Sequence, residues 1–132
     1  TRARDLTPAN KEALVLVMAD VDQRFSSSPS VNSSAQVWGG VQWDRLSDKY
    51  LAANSRRVGG QQLRDTGELL QSFQVGQSSN VATNNADGWT FGSSLPKARG
   101  LNRKRPLIFY HPDLIDVLTN LYTAYIVGDL DL

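Results

Sequence analysis

The chain has 132 residues, of which 40% are hydrophobic and 20% are charged, and its net charge at neutral pH is +1. These values indicate one globular domain and argue against disorder, collagen or a coiled coil. The absence of cysteine excludes disulfides, thiolate nucleophiles and cysteine-ligated zinc, and the single histidine, His111, excludes a multi-histidine metal site. With 14 basic and 13 acidic side chains, the chain also lacks the basic excess of a generic polyanion binder.

Targeting and membrane segments are not predicted. The first residues are polar and lead into no apolar run of signal-peptide type. The longest apolar runs, such as 13–19, are far shorter than the ~20 residues that a membrane span requires. We therefore expect a soluble protein that is made in a cytoplasm and has no membrane partner.

The first predicted element is an amphipathic helix that ends near residue 24 or 25. Thr7 is a favourable N-cap, and Pro8 suits the first helical position. Apolar residues at spacings of three and four predict one buried stripe, which comprises Ala9, Ala13, Leu14, Val17, Met18, Val21 and Phe25. Four charged residues are expected to lie mostly off this stripe: Lys11, Glu12, Asp20 and Asp22.

Between the first helix and residue 60, the sequence predicts a loop and a short helix. Segment 26–34 contains six serines in nine residues and predicts an exposed, flexible loop over about 26–36. Trp38 and Trp43 follow and flank a Gly-Gly-Val-Gln run. Ser47 is placed to cap a short helix, and Arg56 and Arg57 would lie near the carboxyl end of that helix.

Residues 63–73, Leu-Arg-Asp-Thr-Gly-Glu-Leu-Leu-Gln-Ser-Phe, form the most patterned segment of the chain. Asp65 or Thr66 is placed to cap a helix of one or two turns, with Glu68 in its first turn. The apolar side chains that would then face the core are Leu69, Leu70 and Phe73.

Three short β segments are predicted next, at about 71–77, 80–84 and 88–92. Residues 84–88, Asn-Asn-Ala-Asp-Gly, predict a hairpin turn because Asn, Asp and Gly tolerate positive φ. Trp89 and Phe91 alternate with smaller residues, as in a half-buried strand.

A basic segment precedes an acidic end of the chain. Residues 93–106 contain two prolines and a glycine and predict a loop, flexible over about 93–105, with five basic side chains: Lys97, Arg99, Arg103, Lys104 and Arg105. Residues 107–109 predict a short strand. From residue 106 onward there is no Lys or Arg, and there are four acids: Asp113, Asp116, Asp129 and Asp131.

A final helix is predicted to open at Pro112 and Asp113 and to end at Gly128. Its predicted apolar face comprises Leu114, Ile115, Leu118, Leu121, Tyr122, Tyr125 and Ile126. Together with the first helix, this element is expected to pack against a modest antiparallel sheet from the central third of the chain. The sequence therefore predicts one α+β domain over residues 1–132.

Catalysis has little support in these patterns. His111 directly precedes Pro112 at the predicted helix start, where we expect it to cap, pack or contact solvent rather than serve as a catalytic base. Asp20 and Asp22 are two residues apart and so point to different sides of a helix. No catalytic residue, cofactor site or metal site is predicted, and the chain is not expected to be an enzyme.

The basic segment 97–105 leaves three interpretations open. It is a solvated surface, a contact for an acidic neighbouring subunit, or a contact for nucleic acid phosphates. No aromatic residue is interleaved with the cations, which weakens the hypothesis of single-strand binding by stacking. A basic segment and an acidic helix on one small domain suit head-to-tail packing between copies.

The order of the motifs supports a family resemblance. The chain begins this order with Trp43, a following Leu-Ser and Tyr, and a basic stretch. Residues 63–73 come next, followed by a hairpin region that ends at Phe91. Arg105-Pro106 and a terminal helix complete the order. This order, over about residues 40–127, resembles the Mu-like phage virion morphogenesis proteins, which are tail-completion and neck components of tailed phages. The motif residues, given a structural role, are Trp43, Asp65, Thr66, Gly67, Leu69 and Ser72.

The resemblance implies a structural virion protein, a neck or tail-completion subunit in a ring at the head–tail junction, made in the cytoplasm of the host bacterium. Six copies are expected and twelve are the alternative, with the head–tail connector and tail terminator as neighbours and with contact to packaged DNA left open. The predicted assembly interface comprises Lys97, Arg99, Arg103, Lys104, Arg105, Asp113 and Asp116. The alternatives are a small DNA-binding phage protein that uses residues 97–105, and an enzyme with an unrecognised acid pair.

Overall fold

Five α-helices and two β-hairpins make up the computed structural model, which describes residues 2–130. In chain order they are α1 (Thr7–Ser26), β1 (Ala35–Gln36), β2 (Gln42–Trp43), α2 (Asp48–Ala53), α3 (Glu68–Gln71), β3 (Asn80–Asn85), β4 (Gly88–Ser93), α4 (Pro96–Lys104) and α5 (Pro112–Val127). Single 3-10 turns lie at Arg2–Arg4 and Ser55–Arg57. The predicted α+β class is confirmed, although the sheet is divided into two separate two-stranded hairpins.

Helix α1 lies at the centre of the core, and most of its predicted stripe is buried. It packs against the β3–β4 hairpin and against α5, and the buried members are Ala9, Ala13, Val17, Val21 and Phe25, with Leu14 and Met18 partly buried. The prediction of Thr7 as the N-cap is wrong, because the helix already includes Thr7 and Leu6 takes the cap position. Asp5 Oδ1 accepts a hydrogen bond from the Thr7 amide at 3.1 Å and so supports the first turn from outside.

The β3–β4 hairpin confirms the predicted turn at residues 84–88. The two strands pair antiparallel, from Asn80 opposite Ser93 to Asn85 opposite Gly88. Asn85 Oδ1 accepts hydrogen bonds from the amides of Asp87 and Gly88, at 2.9 and 3.2 Å, and these bonds close the turn. On the strand that follows, Phe91 is buried and Trp89 is partly buried against the core.

The strand predicted over 71–77 is wrong. The backbone there forms successive turns, with the amide of Gln74 bonded to the carbonyl of Gln71 at 3.0 Å and that of Gln77 to Gln74 at 3.2 Å. These local bonds use the groups that a partner strand would need. Phe73 is buried as predicted, but it lies beyond the end of α3 rather than on the helix.

Residues 96–104 form helix α4, so the loop predicted over 93–106 is wrong. Pro96 occupies the first turn, where its fixed φ and missing amide suit a helix start. Ala98 is buried and Leu101 is partly buried, and these two side chains give the helix an inward face. The sequence pattern does not indicate this helix, because charged residues surround its short apolar face in the sequence.

The short strand predicted at 107–109 is also wrong. Asn102 Oδ1 accepts hydrogen bonds from the amides of Leu107 and Ile108, at 2.7 and 3.2 Å. A side chain of α4 therefore occupies the donors that a neighbouring strand would bond. Leu107 is fully buried, and it anchors this extended segment in the core between α4 and α5.

Helix α5 begins and ends as predicted, and Gly128 closes it in a left-handed conformation with φ +85°. Leu114, Leu118 and Tyr125 are buried, which confirms the centre of the predicted face. Ile115 and Ile126, predicted for the same face, are each 46% exposed because they lie at its edge, beyond the cover of the core. Within residues 2–130, none of the helices combines the length and apolar character that crossing a bilayer requires.

The serine-rich segment is bonded to the fold at its centre. Val31 is buried, its amide donates to the carbonyl of Gly60 at 3.0 Å, and its carbonyl accepts from the amide of Leu46 at 2.7 Å. The β1–β2 hairpin that follows was not predicted, and it brings Trp43 into the core. Flexibility of residues 26–36 and of 93–105 stays a prediction.

Phe73→Ala tests the packing of the aromatic core. The Phe73 side chain is 2% exposed, and its ring centroid lies 6.3 Å from that of Phe25 and 6.2 Å from that of Phe91. We expect the variant to lose about 3–5 kcal/mol of unfolding free energy in denaturant titration, because the truncated ring leaves a cavity. Val75→Ala, at a site 54% exposed, is the control and should change stability by less than about 0.5 kcal/mol. Equal losses in the two variants would contradict the packing described here.

Candidate interaction site

A cleft of about 510 Å³ lies between α2, the segment before α3, and α4. Its apolar wall consists of Leu46, Leu63, Leu69 and Leu101, and its charged lining consists of Arg57, Lys97, Lys104, Arg105 and Asp65. Four cations against one carboxylate give the cleft a net positive lining. A volume in this range is typical of ligand sites, which combine an apolar surface with a few oriented polar groups.

The motif at residues 65–72 forms one side of the cleft. Gly67 occupies the N-cap position of α3 with φ +83°, a left-handed conformation that strains any side chain other than hydrogen. Thr66 Oγ1 accepts a long hydrogen bond of 3.3 Å from the amide of Glu68. At the far end, the buried Ser72 hydroxyl donates to the carbonyl of Leu69 at 2.6 Å. The motif therefore builds a tight turn that presents Thr66 and Leu69 to the cleft.

Neither Asp65 nor Thr66 caps α3, so both predicted caps are wrong, because Gly67 takes the N-cap position. The Asp65 carboxylate accepts two hydrogen bonds from Arg56, at 2.8 Å from Nη2 and 3.3 Å from Nε. The hydrogen bond from Arg56 holds the pKa of Asp65 below its ordinary value, and the nearby charges of Arg56 and Arg57 act in the same direction. Most of the Asp65 charge is thus compensated by Arg56 at the rim.

Arg57 is a buried cation in the cleft lining with an unused donor. The residue is 6% exposed, and its Nε has no hydrogen-bond partner within residues 2–130. Its other contacts are long, at 3.3 Å from Nη2 to the carbonyl of Gln61 and 3.7 Å from Nη1 to Asp65. A buried guanidinium with spare donors is suited to bind a carboxylate or another anion.

Arg105, predicted as an interface residue, is a structural tether as well as part of the cleft wall. Its Nε donates to Gln62 Oε1 and its Nη2 to the carbonyl of Asp44, both at 2.7 Å. Burial lowers the pKa of Arg105, and repulsion from Arg57 adds to this effect. The fully buried Trp43 makes a parallel link, since its Nε1 donates to the carbonyl of Pro106 at 3.2 Å. Both residues fix the end of α4 against the β1–β2 region.

The other basic residues divide between two faces of α4. Lys97 and Lys104 line the cleft, whereas Arg99 and Arg103, one turn apart, are exposed and do not line it. Lys97 lies 3.7 Å from Glu68, at the limit of an ion pair. In the described part of the chain, Arg99, Arg103 and Lys104 take part in no ion pair.

The acidic residues of α5 and of the segment that follows it lie apart from this cleft. Asp113, Asp116 and Asp129 are exposed and make no ion pair among residues 2–130, and Asp131 lies outside the described residues. No residue of α5 lines the cleft. The helix also exposes four large apolar side chains, which are Ile115, Val117, Ile126 and Val127. The exposed side of α5 is thus both acidic and apolar.

A buried polar cluster joins α1 to the start of α5, and the sequence interpretation missed it. Asp20 was expected mostly off the apolar stripe, yet its Oδ1 lies 2.6 Å from His111 Nε2 and 2.7 Å from Trp38 Nε1. Its Oδ2 accepts from Arg24 Nη2 at 2.8 Å. Asp20 and Arg24 follow Val17 at spacings of three and seven, so their place on the buried face was readable from the helical period.

The cluster has a structural role, because its polar groups are occupied by one another. Three donors already occupy the Asp20 carboxylate, and His111 packs edge-on against Trp38 and Phe109 at centroid distances of 5.9 and 5.7 Å. His111 therefore packs, which is one of its three predicted roles. Across the residues that the structure describes, no group of three or more His, Asp or Glu side chains is arranged to hold a metal ion.

Comparison of the chain with protein-family models, with curated proteins and with solved structures gave no match. The geometry of the charged surfaces therefore carries the functional assignment. Of the predicted interface residues, Lys97, Lys104 and Arg105 meet in the cleft together with the motif residues Asp65, Thr66, Gly67 and Leu69. The remaining ones lie on the far face of α4 or on α5: Arg99, Arg103, Asp113 and Asp116.

Arg24→Met tests the buried ion pair against an exposed pair of the same type. Removal of the guanidinium leaves the Asp20 carboxylate buried without its cation, so we expect a loss of about 3–5 kcal/mol in unfolding free energy. Arg45→Met is the matched control, because Arg45 pairs with Asp48 at the surface and its loss should cost about 0–1 kcal/mol. Denaturant titration of both variants measures the difference, and similar losses would contradict a structural role for the buried pair.

Acid should destabilise the fold through Asp20. Burial by itself raises the pKa of Asp20, but hydrogen bonds from His111 and Arg24 outweigh it and hold the pKa below the ordinary value of 3.8. A depressed pKa in the folded state contributes stability above pH 3.8, and this contribution is lost as pH falls through the folded pKa. Unfolding free energies measured from pH 6 down to pH 2 should show a steeper acid loss for the wild type than for Asp20→Asn. Parallel profiles would contradict this assignment.

Proposed function

We propose that this chain is a structural virion subunit of a tailed phage that forms a ring at the neck, where the tail joins the head. One observation carries the proposal. The cations of α4 that line the cleft and the exposed carboxylates of α5 have opposite charge. Lys104 on α4 and Asp113 and Asp116 on α5 make no ion pair between Arg2 and Leu130, and Lys97 has only a 3.7 Å approach to Glu68. The motif order that resembles phage tail-completion proteins supplies the biological setting.

Charges that do not pair within a subunit are available to pair between subunits. Exposed ion pairs within one domain contribute only ~0–1 kcal/mol each, so the stability of the fold gives little reason to keep cations on α4 and carboxylates on α5. Across an interface, complementary charges set the register and speed association. Because the basic and acidic surfaces are different patches, their contact is heterologous, and such contacts close into a ring when the rotation permits.

Exposed apolar side chains on α5 support the same proposal. Val117 is 45% exposed and lies beside the carboxylates of Asp113 and Asp116, and Val127 is 62% exposed at the other end of the helix. Interfaces between subunits combine an apolar centre with a polar rim, and this side of α5 has both components. In the proposed ring, six copies are expected and twelve are the alternative. The proposed neighbours are the head–tail connector and the tail terminator.

A small DNA-binding phage protein is the second candidate, and one observation favours it. Arg99 and Arg103 project from the same face of α4, and no carboxylate neutralises them within the described residues. Such a pair suits phosphate contacts, which position a protein on a duplex without reading its sequence. The near-neutral total charge of +1 favours the ring over this candidate.

Light scattering coupled to size exclusion tests the ring. We expect the purified full chain to form one closed oligomer whose mass is a whole multiple of the subunit, and to dissociate as salt rises from about 0.05 M to 1 M, because salt screens exposed charges. The control measurement is binding to a fluorescent duplex oligonucleotide over the same salt range. A monomer at all protein concentrations, with duplex binding that weakens steeply with salt, would overturn the ring and favour the second candidate.

A further inference from the structure

We propose that the cleft between α2 and α4 is the socket for α5 of a neighbouring copy, with the Asp113 and Asp116 carboxylates of that copy bound among Arg57, Lys97 and Lys104. The inference rests on the proposed ring and names the contact from which it is built. Both surfaces are present on every copy, so the same contact repeats from one subunit to the next.

The socket side is built to receive an anion attached to an apolar body. Arg57 is buried in the lining and has an Nε donor without a partner in the described chain, and Lys104 makes no ion pair there. Lys97 is held only by a 3.7 Å approach to Glu68. The wall beside these cations is apolar and consists of Leu46, Leu63, Leu69 and Leu101. A carboxylate on a hydrophobic element satisfies both parts of this lining.

The α5 side has the matching pattern. Asp113, Asp116, Val117 and Asn120 stand at spacings of three, four and seven, which places them on one side of the helix, and all four are exposed. Two carboxylates with a valine beside them present an acidic and apolar ridge. Segments of this kind bind grooves through one helix face, with anchors at spacings of three and four.

The occupant must come from another copy. No residue of α5 lines the cleft of its own subunit, and the start of α5 is fixed on α1 by the 2.6 Å contact between His111 and Asp20. The helix therefore cannot move into its own cleft without breaking a buried contact. A second copy brings the same ridge without any rearrangement.

Charge reversal on the two faces of α4 gives a matched test. Lys97→Glu with Lys104→Glu reverses the face that lines the cleft, and Arg99→Glu with Arg103→Glu reverses two cations on the other face of the same helix. We expect the first double variant to weaken self-association at least about tenfold in sedimentation or light scattering, and the second to change it less than about twofold. Circular dichroism checks that both variants fold. If Lys97→Glu with Lys104→Glu does not fold, Lys97→Ala with Lys104→Ala replaces it in the test. Equal weakening by both pairs would overturn the socket.

Mixing complementary variants makes the test specific for the two named surfaces. A second variant, Asp113→Lys with Asp116→Lys, carries a basic ridge and should not assemble alone. Mixed in equal amounts with Lys97→Glu/Lys104→Glu, it should restore assembly, because each ridge then meets a cleft of opposite charge. Restoration supports the socket. Its failure, while the wild type forms a ring, overturns the socket and leaves the ring intact.

Cross-linking locates the contact directly, since the natural chain has no cysteine. Thr66→Cys at the cleft and Asn120→Cys on the ridge should form a mixed disulfide under mild oxidation, and Arg99→Cys with Asn120→Cys is the matched control. A strong cross-link that forms in the first mixture and not in the control supports the socket. This holds even if the wild type is a dimer or an open chain, because that oligomeric state would overturn the ring and not the socket. Equal cross-linking in both mixtures overturns the socket. A duplex oligonucleotide that binds the wild type, and that only the Lys97/Lys104 reversal releases, would assign the cleft to phosphates instead.

Discussion

The buried ion pair between Asp20 and Arg24 is the interaction on which the arrangement of this fold depends. Arg24 is fully buried, and its Nε donates to the carbonyl of Trp38 at 2.8 Å while its Nη1 donates to the carbonyl of Leu107. Its guanidinium lies 4.4 Å from the centre of the Phe109 ring. One side chain of α1 thus holds the β1–β2 turn and the segment before α5. Buried pairs add little net stability over apolar packing, but they penalise arrangements that leave a charge unpaired.

The two charged surfaces inherit their positions from this cluster and from its neighbours. His111, bonded to Asp20, fixes the start of α5 and with it the acidic ridge. Arg105 and Trp43 fix the end of α4 and with it one wall of the cleft. Gly39 lies against Phe109, Arg24 and His111, and a Cβ added to it would come within 2.8 Å of Phe109. Hydrogen bonds from His111, Trp43 and Arg105 therefore tie both surfaces to the rest of the fold.

The sequence predicts the elements that are set by local rules and misses those set by distant contacts. Apolar residues recur at helical spacing over several turns of α1 and α5, and proline at the start of each helix and Gly128 after α5 mark their ends. The β3–β4 turn has residues that tolerate positive φ. Strands β1 and β2 have two residues each, which is too short to show an alternation of apolar and polar residues. The apolar inward face of α4 is small, and cations surround it in the sequence, so no helical pattern is evident there. The sequence indicates the basic segment and the 65–72 motif separately. Their meeting in one cleft depends on the tertiary bonds of Arg105, which no local pattern encodes.

The placement of the only histidine has a practical consequence for spectroscopy. Because the chain contains one imidazole and that ring is buried between Asp20, Trp38 and Phe109, no second histidine competes with it for the assignment of the imidazole resonances. Trp38 and Phe109 flank the imidazole, so their ring currents act on its protons, and this effect changes when the start of α5 leaves α1. The imidazole resonances can therefore report on the joint between α1 and α5 in the free subunit.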